Sequence, residues 1–384
     1  MKVYFDHAAT TPVDRAVVKA MLPYFTKKFG NASSLHGFGR DAKEALEESR
    51  ENIAARINAK PGEIIFTSGG SESDNLALRG IAHANREKGK HIITTRIEHP
   101  AVLESCKALE KKGFKVTYLN VDREGFADMG QLERELGEET TLVSVMHANN
   151  EIGTVQNLEE MGKLCRKNGT YFHSDAVQSF TKEEIDVERQ NLDLVSMSAH
   201  KIHGPKGMGA LYVRKGTKIS PIVYGGHQEQ GLRAGTENVA GAVGFAKAVG
   251  LATPAEAKKI SVLRDRLIGK LLKVGNSALN GPSPSSGKRL CNNVNIGFRY
   301  VEGESMLIRL DMRGIACSTG SACSSQSLKP SHVLIATGMG RPDAHGTLRF
   351  SLGRENTKEE VDYVAKELPP IIEGLRKISP LGRK

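Results

Sequence analysis

The 384-residue sequence has no tryptophan, and aromatic residues make up only 5% of it. Platforms for stacking nucleic-acid bases are therefore scarce. The formal net charge is +10, and basic charge alone would admit a nucleic-acid partner. However, the basic residues are spread along the chain, and only the tail from Lys366 is locally rich in them. A solvated basic surface is the expectation, with no direct nucleic-acid role. Long apolar runs are missing as well: none approaches the ~18 residues a membrane span needs. Asp6 interrupts the only apolar patch near the N-terminus, which argues against a signal peptide. No membrane association and a cytoplasmic location are expected. Cysteine is sparse, at five (Cys106, Cys165, Cys291, Cys317 and Cys323). No CxxC pair occurs, so neither a zinc ribbon nor a redox dithiol is signalled. Cys106 and Cys165 lie on apparent helix faces, where a thiol acts as a small hydrophobe. One of the five is a candidate nucleophile.

What is present is an alternation. Between residues 63 and 213, β-rich apolar runs (EIIFTS, HIITT, KVTYLN, TLVSVMHA, TYFHSD, DLVSMSA, MGALYV) are separated in several places by helical stretches. That pattern predicts an α/β fold with a mostly parallel sheet covered on both faces. After residue 254 the texture changes to a long helix over roughly 254–273, a Gly/Pro/Ser-rich turn, two strand-like runs and a final helix. This predicts a smaller α+β domain, and the length suits two domains.

Parallel sheets bind ligands at the carboxyl ends of their strands, so the residues after each strand are the candidates. After EIIF comes 67-TSGGSESDN-75, two glycines and three serines leading into a helix. This is either an anion cradle or a plain helix start capped by Ser71 or Ser73. His99 opens another helix as a site residue or a cap. Asn149, Asn150 and Glu151 could read a carboxylate or form an Asx turn. Asp175 and Gln178 stand three apart, with Asp175 a site acid or an N-cap. In 198-SAHKIHGPKGMG-209, Ser198 and His200 precede and flank Lys201, a candidate amine nucleophile. The His200 and His203 pair is not read as a metal site, because the following GPKG argues against a helix. An anion cradle, an acid, an aromatic ring and an amine together are what pyridoxal 5′-phosphate requires.

With 5-FDHAATTPVD-14, 30-GNASSLH-36, 147-HANNEIGT-154, 225-GGHQEQGLRAGT-236, 318-STGSACSS-325 and 348-LRFSLGR-354 added to these stretches, the chain resembles the cysteine desulfurases of the NifS/IscS type, nearly end to end. The resemblance implies a fold-type-I pyridoxal-phosphate transferase with a seven-stranded, mostly parallel mixed sheet. Residues 15–255 would form the large domain. Residues 1–14 and 256–384 would form the small one, carrying a catalytic loop at about 318–331. Lys201 would hold the cofactor as a Schiff base, His99 would stack on its ring, Asp175 would pair the ring nitrogen and Gln178 the ring hydroxyl. Gly70, Ser71, Ser198 and His200 would cradle the phosphate, with Thr236 reaching it across a homodimer interface. Asn150 and Arg349 would bind the substrate carboxylate. Cys323 would be the nucleophile that takes sulfur from L-cysteine, leaving alanine, and passes it to an iron–sulfur scaffold protein of the IscU kind or to another acceptor. In such a complex Cys323 could also serve as a cluster ligand; no other metal is expected.

The resemblance also implies departures and rivals. His227 stands where the family has glycine, and Cys317 is an extra thiol, read as a buried strand-end residue. The long loop through 326-QSLKPSH-332 matches the housekeeping IscS-like group. Selenocysteine lyase, an aminotransferase or a non-catalytic assembly protein are the alternatives. Cys323 in a loop of small residues argues against the aminotransferase. The segment from about Ser321 to Lys329 has no packing residues and is expected to move.

Overall fold

The computed structural model describes residues 1–320 and 330–379. Cys323 and the segment expected to move lie outside the described residues. The twelve strands described are β1 (Val3–Tyr4), β2 (Ile64–Thr67), β3 (His91–Thr95), β4 (Lys115–Leu119), β5 (Thr140–Ser144), β6 (Tyr171–Asp175), β7 (Leu194–Ser198), β8 (Gly209–Val213), β9 (Ser277–Leu279), β10 (Asn293–Phe298), β11 (Ile315–Ala316) and β12 (Thr347–Ser351).

Seven of them form the central sheet, in the order β2-β8-β7-β6-β5-β3-β4. Pairs β3–β4, β3–β5, β5–β6 and β6–β7 are parallel. β8 runs antiparallel to both β7 and β2. It follows that β2 points the same way as β7, and β8 alone is reversed. Successive side chains of a strand point to opposite faces, and here both faces are buried. Ile93, Val143, Phe172 and Tyr212 join one apolar cluster, while their neighbours Ile92, Leu142 and Leu211 join another. The first cluster is closed by helices Gly37–Ala55 and Val239–Leu251, through Leu46, Ile53 and Phe245. The second is closed by helices Gly70–Ala84 and Pro100–Glu110, through Leu76, Ile81, Val102 and Cys106.

The remaining strands make an antiparallel sheet, β12-β10-β9, and a parallel pair, β1–β11. They share a separate core with helices Pro254–Leu271 and Lys358–Ile378. Val3 and Phe5 belong to it, so the first strand packs with the last third of the chain. Cys317 is buried directly after β11, and burial pushes its thiol up. No helix among the described residues is long and apolar enough to cross a membrane.

A buried ion pair ties the helix Gly37–Ala55 to the loop after β8. Arg50 donates to both oxygens of Glu229 (2.8 and 2.9 Å) and to the Ile64 carbonyl, while Glu229 also accepts the Phe66 N–H (2.7 Å). Removing one partner strands a buried charge. Glu229→Ala is therefore expected to lower unfolding free energy by about 3–5 kcal/mol, measured by urea denaturation; an unchanged midpoint would contradict this role.

Candidate active site

Because every central strand except β8 runs the same way, the segments after β2, β3, β5, β6 and β7 emerge at one edge. They surround a cavity of about 310 Å³.

The chain leaves β2 into the helix Gly70–Ala84, whose N-cap is Gly69 at φ +151° and ψ −179°, a conformation nearly restricted to glycine. The hydroxyl cap anticipated at Ser71 or Ser73 is not formed. With Gly69 as cap, both serines fall inside the first helical turns, and Ser73 Oγ turns back onto the Gly69 carbonyl (3.2 Å). The first-turn amides at Gly70 and Ser71 therefore keep no side-chain partner from the cap, and both residues line the cavity. Ser198 lies alongside. Its Oγ is buried without a hydrogen-bond partner, and a Cβ built on Gly69 would come 4.0 Å from it. A Cβ on Gly70 would meet Val177 at 2.6 Å, so the cradle touches the turn after β6.

That turn carries Asp175. Its carboxylate accepts the Val177 N–H (2.9 Å). Burial raises its pKa, opposed by the His99 imidazole, the Val177 N–H and the Lys201 ammonium. Two further buried acids sit nearby. Glu98 is pushed up to about 8 by burial, although Met146 N–H and Thr95 Oγ donate to it. Asp74 is raised well above its ordinary value by burial and by Asp175. Asp74 lies 3.8 Å from His173 Nε2, but burial holds His173 down to about 3, so the imidazole is uncharged at neutral pH and the contact is not an ion pair. Of the three, Asp175 is the one whose charged form a nearby imidazole, a backbone N–H and an amine all favour.

The cap anticipated at His99 is formed. His99 caps the helix Pro100–Glu110, with Nδ1 accepting the Ala101 N–H (3.1 Å), and it lines the cavity. Lys201 ends a 3₁₀ turn after β7, and its Nζ donates to the carbonyls of Ala8 (2.6 Å) and Ala9 (2.8 Å). Gln178 Nε2 shares the Ala8 carbonyl (2.9 Å). His200 faces Thr10 Oγ (3.1 Å). Asn149 makes the Asx turn, accepting the N–H groups of Glu151 and Ile152, and Asn150 lines the cavity. Arg349 reaches in from β12. It is almost wholly buried, donating to Asp6 (3.0 Å) and the Asn150 carbonyl (3.1 Å), while its Nε has no partner.

Residues 3–364 match the Aminotransferase class-V family. The chain is 53% identical over 384 residues to a cysteine desulfurase IscS from Clostridium botulinum, covering 99% of this chain and 96% of that one. The chain belongs to the cysteine desulfurases of the class-V aminotransferase family. Among solved structures, a NifS-like protein superposes with a TM-score of 0.91 at 40% identity, covering 98% of this chain and all of that one. A structure described as SspA in complex with cysteine does so with a TM-score of 0.82 at 38% identity, covering 93% and all of the two chains.

Class-V aminotransferases use pyridoxal 5′-phosphate, and this desulfurase-family cavity fits it. The unpartnered Ser198 hydroxyl beside an uncapped helix start suits a phosphate. A carboxylate and an amine stand on the same cavity wall. Gly70, Ser71, His99, Asn150, Asp175, Gln178, Ser198, His200, Lys201 and Arg349 all line it. Thr236 does not. It is exposed and lines a separate cavity with Ser68, Glu229 and Arg233. His227 is exposed before the turn that holds Glu229. Two cavity groups went unnoticed in the sequence, Asp74, buried on a helix face, and His332, at the end of the stretch QSLKPSH; so did Glu98, buried one residue before His99.

Two buried histidines carry an acid-sensitive part of the stability. Burial holds His173 at about 3 and His147 at about 4 in the folded state, against an ordinary 6.5. The unfolded chain binds their protons first. Each histidine's contribution is then fully present above pH 6.5 and falls as pH drops below it, by about 1.4 kcal/mol per pH unit, while the raised Glu98 carboxyl contributes in the opposite sense. In urea titrations between about pH 7 and pH 5, His173→Gln should show a shallower loss than the wild type. Equal slopes would mean that His173 does not contribute.

Proposed function

We propose that this protein converts L-cysteine to L-alanine with pyridoxal 5′-phosphate and takes the sulfur onto Cys323 as a persulfide. The observation that carries the reading is the convergence of the Ser198 cradle, Asp175, Lys201 and Arg349 on one cavity.

Gly70, Ser71, Ser198 and His200 hold the phosphate, supported by the helix start and the free Ser198 hydroxyl. Asp175 would hold the ring nitrogen, Gln178 the ring hydroxyl and His99 the face of the ring, and Lys201 would anchor the cofactor through its amine. The bound cofactor supplies an electron sink for the pair released at the substrate's α-carbon. Arg349 and Asn150 hold the substrate carboxylate. In the structure Asp6 accepts from Arg349 Nη2 and the Asn150 carbonyl from Nη1, while Nε has no partner and is the donor left for the carboxylate. Lys201 Nζ would take the α-proton. The Cys323 thiolate then takes the substrate sulfur, and the remainder leaves as alanine.

The same reading divides the chain into 15–255 and 1–14 with 256–384, which the separate apolar cores support. It includes a homodimer in which Thr236 of a second copy completes the phosphate site. The exposed apolar side chains Phe25, Phe29, Leu35 and Phe38 support such an interface; Leu35 is 91% exposed. The persulfide passes to an iron–sulfur scaffold protein or another sulfur acceptor, in the cytoplasm.

Cys323→Ala should keep the cofactor's absorbance and lose alanine formation and sulfide release with cysteine and reductant. Sulfide turnover in that variant would refute the nucleophile. Lys201→Ala should lose the Schiff-base absorbance band and slow alanine formation by roughly 10²–10⁴-fold; a retained band would sink that assignment.

A further inference from the structure

The two groups proposed to hold the substrate carboxylate come from different cores. Arg349 stands on β12, whereas Asn150 sits in the loop that follows β5. Their separation is set by whatever joins that loop to the second core.

The join is a set of buried amides. β10 contains Asn293, Val294, Asn295 and Ile296 in succession, and successive side chains of a strand point to opposite faces. Val294 and Ile296 enter the second apolar core. Asn293 and Asn295 face the other way, yet they are only 2% and 0% exposed. Nδ2 of each donates to the same acceptor, the Glu151 carbonyl (2.8 and 2.9 Å). Both amide orientations are forced, because a carbonyl only accepts and a guanidinium only donates. Asn293 Oδ1 accepts from Arg289 (2.9 Å), and Asn295 Oδ1 accepts from Asn280 Nδ2 (2.7 Å).

Asn295 also stands directly opposite Arg349 in the β10–β12 pair, so both side chains leave the same face of that sheet. The loop is thus held at two successive carbonyls from one sheet. Arg349 Nη1 donates to that of Asn150 (3.1 Å), and the asparagines donate to that of Glu151. The turn beyond packs as closely. Gly153 has φ +76°, and a Cβ there would come within 2.8 Å of Asn293.

We propose that Asn295, together with Asn293, is a positioning residue that fixes the Asn150 turn against Arg349. Its consequence is selectivity for ligands that carry a carboxylate beside the reacting amine, and it rests on the carboxylate contacts proposed above. With one donor gone, the buried Glu151 carbonyl is under-satisfied and the turn shifts. Asn150 and Arg349 then no longer meet one carboxylate together.

The test uses two oxyamines that capture bound pyridoxal 5′-phosphate and differ in a carboxylate. Aminooxyacetate carries one and methoxyamine has none. Each rate constant is read from the absorbance change of the holoprotein and referred to the same reaction of free pyridoxal 5′-phosphate. The wild type should favour aminooxyacetate. Asn295→Ala should slow aminooxyacetate by roughly 10- to 10²-fold and leave methoxyamine as in the wild type. Asn293→Ala removes the other donor, should act in the same direction, and carries the test if Asn295→Ala fails to fold. Without cofactor, hydrogen exchange across residues 149–155 should be faster in either variant. An unmoved aminooxyacetate constant, an equal loss for both probes, or unchanged exchange would overturn the role. A wild type that treats the two probes alike would instead refute the Arg349 and Asn150 carboxylate site, and this proposal with it.

Discussion

Strand direction is the constraint from which the site follows. Six of the seven central strands point one way, and only β8 is reversed. A parallel sheet leaves its connecting loops at the carboxyl edge, where helices begin and their free N–H groups accumulate. Here that edge gathers residues from positions 70 to 201 around one cavity. The same burial that makes the sheet stable on both faces desolvates its edge. Acids there are pushed up and histidines down, and the floor carries three carboxyls close together. Only the one with a nearby amine, an imidazole and an N–H donor is well placed to stay charged.

The second core completes what the central sheet lacks. The central sheet brings an uncapped helix start, acids and an amine to the cavity, but no guanidinium. Arg349 comes from β12, and its strand also forms a backbone bridge with Ser318 (2.7 and 3.0 Å). The short helix at His332 docks on the loops after β3 and β5. The two ends of the segment bearing Cys323 are thus fixed to opposite walls of the cavity, one through Arg349 and the other through Ser331 on Glu151. The N-terminal segment packs with this second core through Val3 and Phe5, and presents the Ala8 and Ala9 carbonyls to Lys201.

Much of the site was legible because strand ends announce themselves. A β-rich run followed by small or polar residues marks where a parallel sheet opens, and Ser198, Lys201, Asp175 and His99 were found that way. The helix cap was misjudged because Gly69, with a backbone that serine would not adopt, starts the helix before either serine can cap it. Asp74 and Glu98 were missed because an acid in a helix or loop carries no mark of its burial.

By itself the sequence determined the strand–helix alternation, the residues at each strand end and the family, because these are local patterns or matches of residue order. Only the tertiary structure decided which groups share a cavity and in what protonation state. How burial shifts Asp74, what holds the Glu151 carbonyl and which nitrogen of Arg349 meets Asp6 depend on desolvation and on partners far apart in the chain. Those partners, such as Glu98 and His332 separated by 234 positions, meet only when two separate cores close on one another.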